Sequence, residues 1–326
     1  MARILAISLN PALDLAIRLP QLALGRVNRT ESTHLEAAGK GVNVARVLVA
    51  LGHDVTVSGF LGAANDGVFV RAFADLGVED ACRRVAGETR INAKVAEHDG
   101  RVTDINGPGL AVDAGALEAL RDDLDARAGD PSRRPDAVVI AGSLPPGVEA
   151  TDLVALVTRL GERGIPVWVD TSGPALTAAI DAGPTAVKPN EQELADWAGE
   201  SLDGEAPRLQ AVRRLHAAGV AEALISAGRD GVLWASRRGE WLALPPMVAV
   251  TSTVGAGDTL VAGMLHGVLS GHPPEQVLRF ATALSAEAVR HVGVGDPHAD
   301  DFNDLQRQTR VQRLDDGERH AGGVHA

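Results

Sequence analysis

The sequence predicts an α/β protein in which a mostly parallel sheet is covered by helices and a smaller antiparallel sheet stands off the main body. Three observations carry this. Short uninterrupted apolar runs recur along the 326 residues, the pattern of strands buried on both faces. Longer segments of helical periodicity separate them, and strand–helix alternation implies parallel pairing. Two segments, 10–35 and 88–106, break this rhythm with alternating polar and apolar residues, which suits a sheet with one wet face.

The first strand is Ile4–Leu9, closed by Asn10-Pro11. After the alternating segment 10–35 come a helix over Gly41–Leu51, a strand at Val55–Phe60 and a helix over Gly67–Leu76. The second alternating segment contains Arg90-Ile-Asn-Ala-Lys-Val-Ala-Glu97 and turns at Asp99-Gly100, a hairpin signal. Together the two segments would form one lobe, a lid. A helix over Ala114–Arg127 follows, with the charged stretch Asp122–Pro135 read as a surface loop. Strands at Ala137–Ala141, Val167–Asp170 and Ala186–Lys188 then alternate with helices over Thr151–Arg163, Glu191–Ala198 and Leu209–Ala218. Strands at Ala223–Ser226 and Val232–Ala235 precede the last helices, Asp258–Ser270 and Pro274–His291. Residues 313–326 lack periodicity and read as a disordered tail, leaving 1–312 as one domain.

Composition narrows the function. Hydrophobic residues are 45% and charged residues 23% of the chain, so a packed core is expected and global disorder is excluded. Aromatics are 3%, Tyr is absent and the net charge is −12. A nucleic-acid binder needs stacking platforms and a basic surface, so neither DNA nor RNA is an expected partner. One cysteine, Cys82, excludes an internal disulfide framework and a Cys-based zinc site, and fits a reducing cytoplasm. No signal peptide is legible, and no uncharged apolar stretch reaches the ~20 residues of a membrane span. Only three of the 31 basic residues are Lys: Lys40, Lys94 and Lys188. Where Lys survives that preference for Arg, either chance or a need for a compact ammonium explains it.

The chemistry-bearing segments are glycine turns at strand ends or helix starts. In Thr251-Ser-Thr-Val-Gly-Ala-Gly-Asp258, the turn Gly255-Ala256-Gly257 can gather backbone N–H groups at a helix N-terminus and hold an anion. Asp258 sits among those donors, where a carboxylate could take a hydroxyl proton; an ordinary Asp cap fits the same residues. In Gly39-Lys40-Gly-Val-Asn43, a cation and an amide occupy the first turn of a helix. In Val187-Lys188-Pro-Asn190-Glu-Gln-Glu193, Lys188 closes a buried strand at the sheet edge where open α/β proteins bind ligands. Glu193 there is equally good as a capping acid. Weaker signals of the same kind are the turns at Ser143 and at Ser226–Gly231, the Asn10–Asp14 segment, and Arg90, Asn92 and Lys94 alternating on one strand face. The ten histidines have no metal-ligand spacing. A nucleophile elbow and a dinucleotide fingerprint are both missing, against serine hydrolysis and against a dehydrogenase.

These segments together resemble the ribokinase-like (PfkB) carbohydrate kinases over about the first 300 residues. Ala38–Gly62 is similar to the family's first signature and Thr251–Gly263 to its second. Leu9–Asp14, Thr89–Lys94, Asp104–Pro108 and Val187–Asn190 look like the phosphosugar kinases within it. The resemblance implies a three-layer α/β/α fold with a β lid, and two copies paired through their lids as a homodimer. It implies phosphoryl transfer from ATP, with Mg²⁺, to the C6 hydroxyl of fructose 1-phosphate, with tagatose 6-phosphate or fructose 6-phosphate as alternative acceptors. A sugar-phosphate sensor that has lost catalysis is a further alternative, disfavoured by the complete motifs. The implied base is Asp258, with Gly255, Ala256 and Gly257 as anion hole. Asp14, Gly39, Asn43, Asn92 and Ser143 would hold the sugar, and Lys40 and Arg90 its phosphate. Lys188, Asn190, Thr253, Gly255, Gly257, Ser226, Gly228 and Gly231 would line ATP, and Glu193 would help hold Mg²⁺ through water. Two points depart from the family pattern: Thr259 after the base, and His291–Gly295 where relatives carry an Asn beside the adenine.

Overall fold

The computed structural model describes residues 1–314. The chain opens with β1 (Arg3–Ser8), then β2 (Ala12–Leu19) and β3 (Ser32–Ala38), and enters α1 (Lys40–Ala50). Next come β4 (Asp54–Gly62), α2 (Gly67–Leu76), β5 (Glu79–Val85), β6 (Ile91–Glu97) and β7 (Val102–Ile105). The middle of the chain holds α3 (Ala114–Gly129), β8 (Ala137–Ala141), α4 (Ala150–Glu162), β9 (Val167–Asp170) and α5 (Gly173–Asp181). β10 (Ala186–Val187), α6 (Glu191–Ala198), α7 (Glu205–Ala217), β11 (Glu222–Ser226), β12 (Val232–Ser236) and β13 (Gly239–Leu244) follow. α8 (Ala256–Leu269), α9 (Pro274–Ala288), α10 (Phe302–Gln308) and β14 (Arg310–Arg313) complete it. No helix among the described residues is long and apolar enough to cross a membrane.

The main sheet has ten strands in the order β14-β13-β12-β11-β10-β9-β8-β1-β4-β5. From β5 to β11 every neighbouring pair is parallel, and β11 to β14 form an antiparallel meander at the edge. Alternate residues of β1 explain its apolar run. Ile4 and Ala6 join the core under α1, α8 and α9, whereas Leu5 and Ile7 join the core under α3, α4 and α5. Both faces are covered, so neither face needs polar residues. Strand order reverses around β1, which lies between β4 and β8. The carboxyl ends of strands flanking such a switch point leave a crevice.

The small sheet runs β3-β2-β6-β7. β2 pairs antiparallel with β3, and β6 with β7, but the central seam joins β2 to β6 in parallel. The sequence pattern anticipates the wet face and does not reveal this seam. Cross-strand pairs place Leu35, Leu15, Ala93 and Ile105 in one row, with Asp14, Asn92 and Glu36 in the alternate row. One face is therefore apolar and the other polar.

Two expectations are corrected and several elements are added. The stretch Asp122–Pro135 is not simply a loop, because α3 continues to Gly129 and buries Leu124, Arg127 and Ala128. Its buried cation has a reason: Arg127 donates to Glu79 at 2.5 Å and to Thr56 at 3.2 Å. The tail does not begin at Arg313, which pairs with Trp241 in the sheet; residues 315–326 lie outside the described residues. The charged edge strand β5, the short helices α5 and α10, and the meander strands β13 and β14, none anticipated from the pattern, are added to the architecture.

Candidate active site

The Gly255 turn works for steric reasons. Its φ is +82°, and a methyl there would lie 2.4 Å from the Gly293 carbonyl oxygen, so only glycine fits. α8 starts at Ala256, and first-turn N–H groups have no partner within a helix. Asp258 lies in that first turn and is 5% exposed. Thr259, the departure from the family pattern, is fully buried. It donates to the Gly255 carbonyl at 2.8 Å and accepts from the Gly295 N–H at 3.0 Å. Its hydroxyl therefore ties the turn to the 291–295 loop.

α1 approaches from the other side. Gly39 caps it with φ +121°, and a methyl there would sit 3.0 Å from the Pro11 Cα. Lys40 is its first residue, and Asn43 Nδ2 donates to Asp258 Oδ2 at 2.7 Å. The strand ends supply the remaining charges. Lys40 Nζ donates to Asp170 Oδ1 at 3.2 Å, and Lys188 Nζ lies 3.8 Å from the same oxygen. A methyl on Gly257 would come within 3.3 Å of Lys188 Nζ, so the glycine keeps an open cradle between that ammonium and the start of α8.

These charges act on one another. Burial, then the Asp170 carboxylate, push the Asp258 carboxyl up to about 6, against the pull of Lys40, Asn43 and Lys188. Burial opposes the Lys40 ammonium, but Asp170, Asp258 and Glu193 together outweigh it and hold its pKa above the ordinary lysine value. A carboxylate kept basic in a buried site is a competent proton acceptor.

The lid contributes its polar face. Asp14 accepts from Asn92 Nδ2 at 3.3 Å and from Lys94 Nζ at 2.7 Å. Arg90 donates to the carbonyls of Pro11 (3.3 Å), Gly107 (3.0 Å) and Asn10 (2.8 Å). Asn10 in turn donates to Ser143 Oγ at 3.1 Å. Arg90 is thus a strut between lid and body. A guanidinium has five N–H groups, so two remain for a ligand.

On the far side, Asn190 and Glu193 form a reciprocal capping box at the start of α6: Asn190 Oδ1 accepts from the Glu193 N–H at 2.9 Å, and Glu193 Oε2 from the Asn190 N–H at 2.8 Å. The capping reading of Glu193 is therefore realised, and it engages one of its two oxygens. Ser226 bridges Asn190 at the end of β11. Gly228 opens a short 3₁₀ turn, and Gly231 has φ +98° with no room for a methyl against the Ala243 carbonyl. Thr253 accepts from the Ala256 N–H at 3.4 Å.

Contacts thus join Lys40, Asn43, Lys188, Gly257 and Asp258 around one point, and Asp14, Arg90 and Asn92 beneath the lid. Asp170 was not anticipated. It closes the apolar run of β9, where a terminal Asp reads as a strand end, and its partner Lys40 lies 130 residues away. Lys94, one of the three lysines and a member of the alternating strand face, pairs with Asp14.

Comparison with known proteins extends this picture. Residues 7–301 match the pfkB family carbohydrate kinase model. The 1-phosphofructokinase of Vibrio cholerae is 44% identical over 313 residues, covering 96% of this chain and 97% of that protein. The 1-phosphofructokinase of Escherichia coli K12 is 43% identical over 293 residues, covering 90% of this chain and 93% of that protein. Among solved structures, phosphofructokinase-2 from Escherichia coli in complex with substrates and products superposes with a TM-score of 0.85 at 29% identity, covering 94% of this chain and 98% of that one.

Proposed function

The chain belongs to the pfkB family of carbohydrate kinases and is a phosphotransferase with an alcohol acceptor; on that premise we propose that it moves the γ-phosphoryl group of ATP to the C6 hydroxyl of fructose 1-phosphate. The observation that carries this reading is the buried Asp258 carboxylate at the start of α8, held by Asn43 and flanked by the charges of Lys40 and Lys188. The hydroxyl oxygen bonds to the γ-phosphorus as the bond to the bridging oxygen breaks. The hydroxyl proton passes to Asp258, ADP leaves, and fructose 1,6-bisphosphate is formed. Positioning and charge neutralisation supply most of the rate in such transfers.

Each residue has a task in this reading. The N–H groups of Gly255, Ala256 and Gly257 receive the charge that develops on the moving phosphoryl group. Asp14, Gly39, Asn43, Asn92 and Ser143 orient the sugar. Lys40 and the two remaining N–H groups of Arg90 bind the phosphate the sugar already carries. Lys188, Asn190, Thr253, Ser226, Gly228 and Gly231 line the ATP phosphates, and the open cradle at Gly257 suits them.

Magnesium fits the same donor set. Among the described residues no three His, Cys, Asp or Glu side chains gather as a closed cage. Mg²⁺ prefers one or two carboxylates, waters and substrate phosphates, and Glu193 offers a carboxylate whose charge is felt at Lys40. The ion would offset phosphate charge there. A cytoplasmic site of action suits an ATP-dependent enzyme. The apolar lid row, with Leu35 40% and Ile105 59% exposed, suits pairing of two lids in a homodimer.

A coupled assay of ADP release on fructose 1-phosphate, fructose 6-phosphate and tagatose 6-phosphate tests the reading. The highest kcat/KM is expected for fructose 1-phosphate. A higher value for either 6-phosphate would overturn the substrate assignment.

A further inference from the structure

We propose that Asp170 is a positioning residue of this site, anchoring the ammonium groups of both Lys40 and Lys188 through one carboxylate oxygen and so keeping them from neutralising Asp258. The inference rests on the reading of Asp258 as the proton acceptor. The geometry is specific. Asp170 closes β9 at the carboxyl edge of the sheet and is 1% exposed. Its Oδ1 lies 3.2 Å from Lys40 Nζ and 3.8 Å from Lys188 Nζ.

Stability does not explain such a residue. Its other oxygen, Oδ2, is buried without a hydrogen-bond partner, and so is the neighbouring Thr171 hydroxyl. Unpaired buried polar groups destabilise a fold, and apolar side chains of similar size pack there at no such cost. Two adjacent unpaired groups at a sheet edge mark a place where binding requirements override packing.

The charge arrangement supplies the reason. Lys40, on α1, and Lys188, after β10, both act on Asp258, on α8; Glu193, on α6, acts on Lys40. Without Asp170, the carboxylate that acts most strongly on Lys40 would be Asp258 itself, on which Lys188 also acts. An ion pair there would hold the acceptor as a stable anion and weaken it as a base. Asp170 takes the lysines as its own partners, leaves Asp258 held by the neutral Asn43 amide, and presents both ammonium groups to the anions that enter. The carboxylate also limits how much positive charge the empty site holds.

The chain has only three lysines, so the full-length protein labelled with ¹³C-lysine gives three resolvable sets of signals. In Asp170→Asn, the Lys40 titration should move to lower pH and the Lys188 signals should shift, while Lys94, paired with Asp14, stays in place as an internal control. Turnover should fall about 10- to 100-fold, the scale of a misplaced catalytic group. The acid limb of the pH profile should move down, because a negative charge near Asp258 is gone. Asp170→Glu, which keeps the charge, should recover part of the turnover. If Asp170→Asn does not fold, Asp170→Glu carries the test: the displaced carboxylate must shift both lysine signals and lower kcat more than it raises KM for ATP. Unchanged Lys40 and Lys188 signals, or an unchanged acid limb in a folded Asp170→Asn, would overturn the proposal. The lysine signals need no substrate, so they fail or succeed independently of the reaction assigned above.

Discussion

Asn43 donates to Asp258 at 2.7 Å, and this bond joins the first turn of α1 to the first turn of α8. Each helix starts at a glycine of positive φ, Gly39 or Gly255. The two family signatures therefore meet in one contact, between residues 215 positions apart in sequence. The amide supports the carboxylate against burial without giving it a proton, which leaves it basic.

Asn43→Ala should raise the pKa of Asp258, because a hydrogen bond to the charged form is lost, worth about 1.5–3 kcal/mol for an ionic partner. The acid limb of kcat/KM, expected near pH 6, should move to higher pH. An acid limb that stays in place would show that Asp258 is not the group that titrates.

Asp258→Asn should lower kcat by roughly 10²–10⁴, the usual worth of a positioned base, with KM for both substrates changed much less. The same variant should be more stable at neutral pH. A carboxyl whose pKa is raised on folding binds protons more tightly in the native state, so its contribution is favourable below about pH 4 and is lost as pH rises through about 6. Removing the charge removes that loss. Thermal melts of both proteins at pH 5 and pH 8 check the sign: the gain in Tm should be larger at pH 8.

Lys40→Ala and Arg90→Ala should each raise KM for the phosphosugar by one to two orders of magnitude, about 1.5–3 kcal/mol for a charge-assisted contact, and change KM for ATP far less. The structure separates their side effects. Lys40 gives up one ion pair to Asp170, whereas Arg90 gives up three bonds to carbonyls that join lid and body. Both variants should therefore also lower Tm, Arg90→Ala by loosening lid from body and Lys40→Ala by leaving the buried Asp170 carboxylate with only Lys188 at 3.8 Å. If both variants keep the wild-type KM for fructose 1-phosphate, these side chains do not bind its phosphate.

The parts of this site legible in sequence are those whose signal is local. A glycine turn that runs into an apolar helix marks Asp258 and Lys40, and an uninterrupted apolar run marks β1 and β8 because residues of both parities are buried. Asp170 had no such mark. A single Asp after Val-Trp-Val is what any strand end shows, and its meaning comes from two lysines brought by other elements. The β2–β6 seam was hidden for the same reason: Asp14 and Asn92 belong to segments that look alike whether paired parallel or antiparallel. β5 escaped notice because an edge strand with Glu79, Asp80, Arg83 and Arg84 lacks the apolar run of a central one.

In the turn that follows α1 and in the last turn of α8, His53 and His266 meet at 2.9 Å. His53 Nδ1 accepts from the Ala2 N–H, so its Nε2 carries the proton and donates to His266 Nδ1. Burial first, then His53, His272 and the N-terminus, push His266 down to about 4. A histidine held neutral contributes stability above its unfolded pKa of ~6.5 and loses it as pH falls towards 4. Tm should fall over that window, and His266→Gln should flatten the fall. An equally steep fall in the variant would remove this pair from the acid response.

The lid row makes the last prediction. Leu35, Leu15, Ala93 and Ile105 are cross-strand neighbours on one face, whereas Asp14 and Asn92 lie on the alternate face with the candidate sugar ligands. A partner on the apolar face would thus bury hydrophobic surface without touching the ligands directly. Substituting Leu35→Asp and Ile105→Asp together places two charges where apolar side chains would be desolvated, a cost that no pairing in the free protein offsets. Light scattering at micromolar concentration should show a dimer for the wild type and a monomer for this variant. Because the polar face of the same strands holds Asp14, Asn92 and Lys94, an unsupported lid should raise KM for the phosphosugar more than it lowers kcat. A wild-type protein that is monomeric and fully active would show that the row serves another purpose.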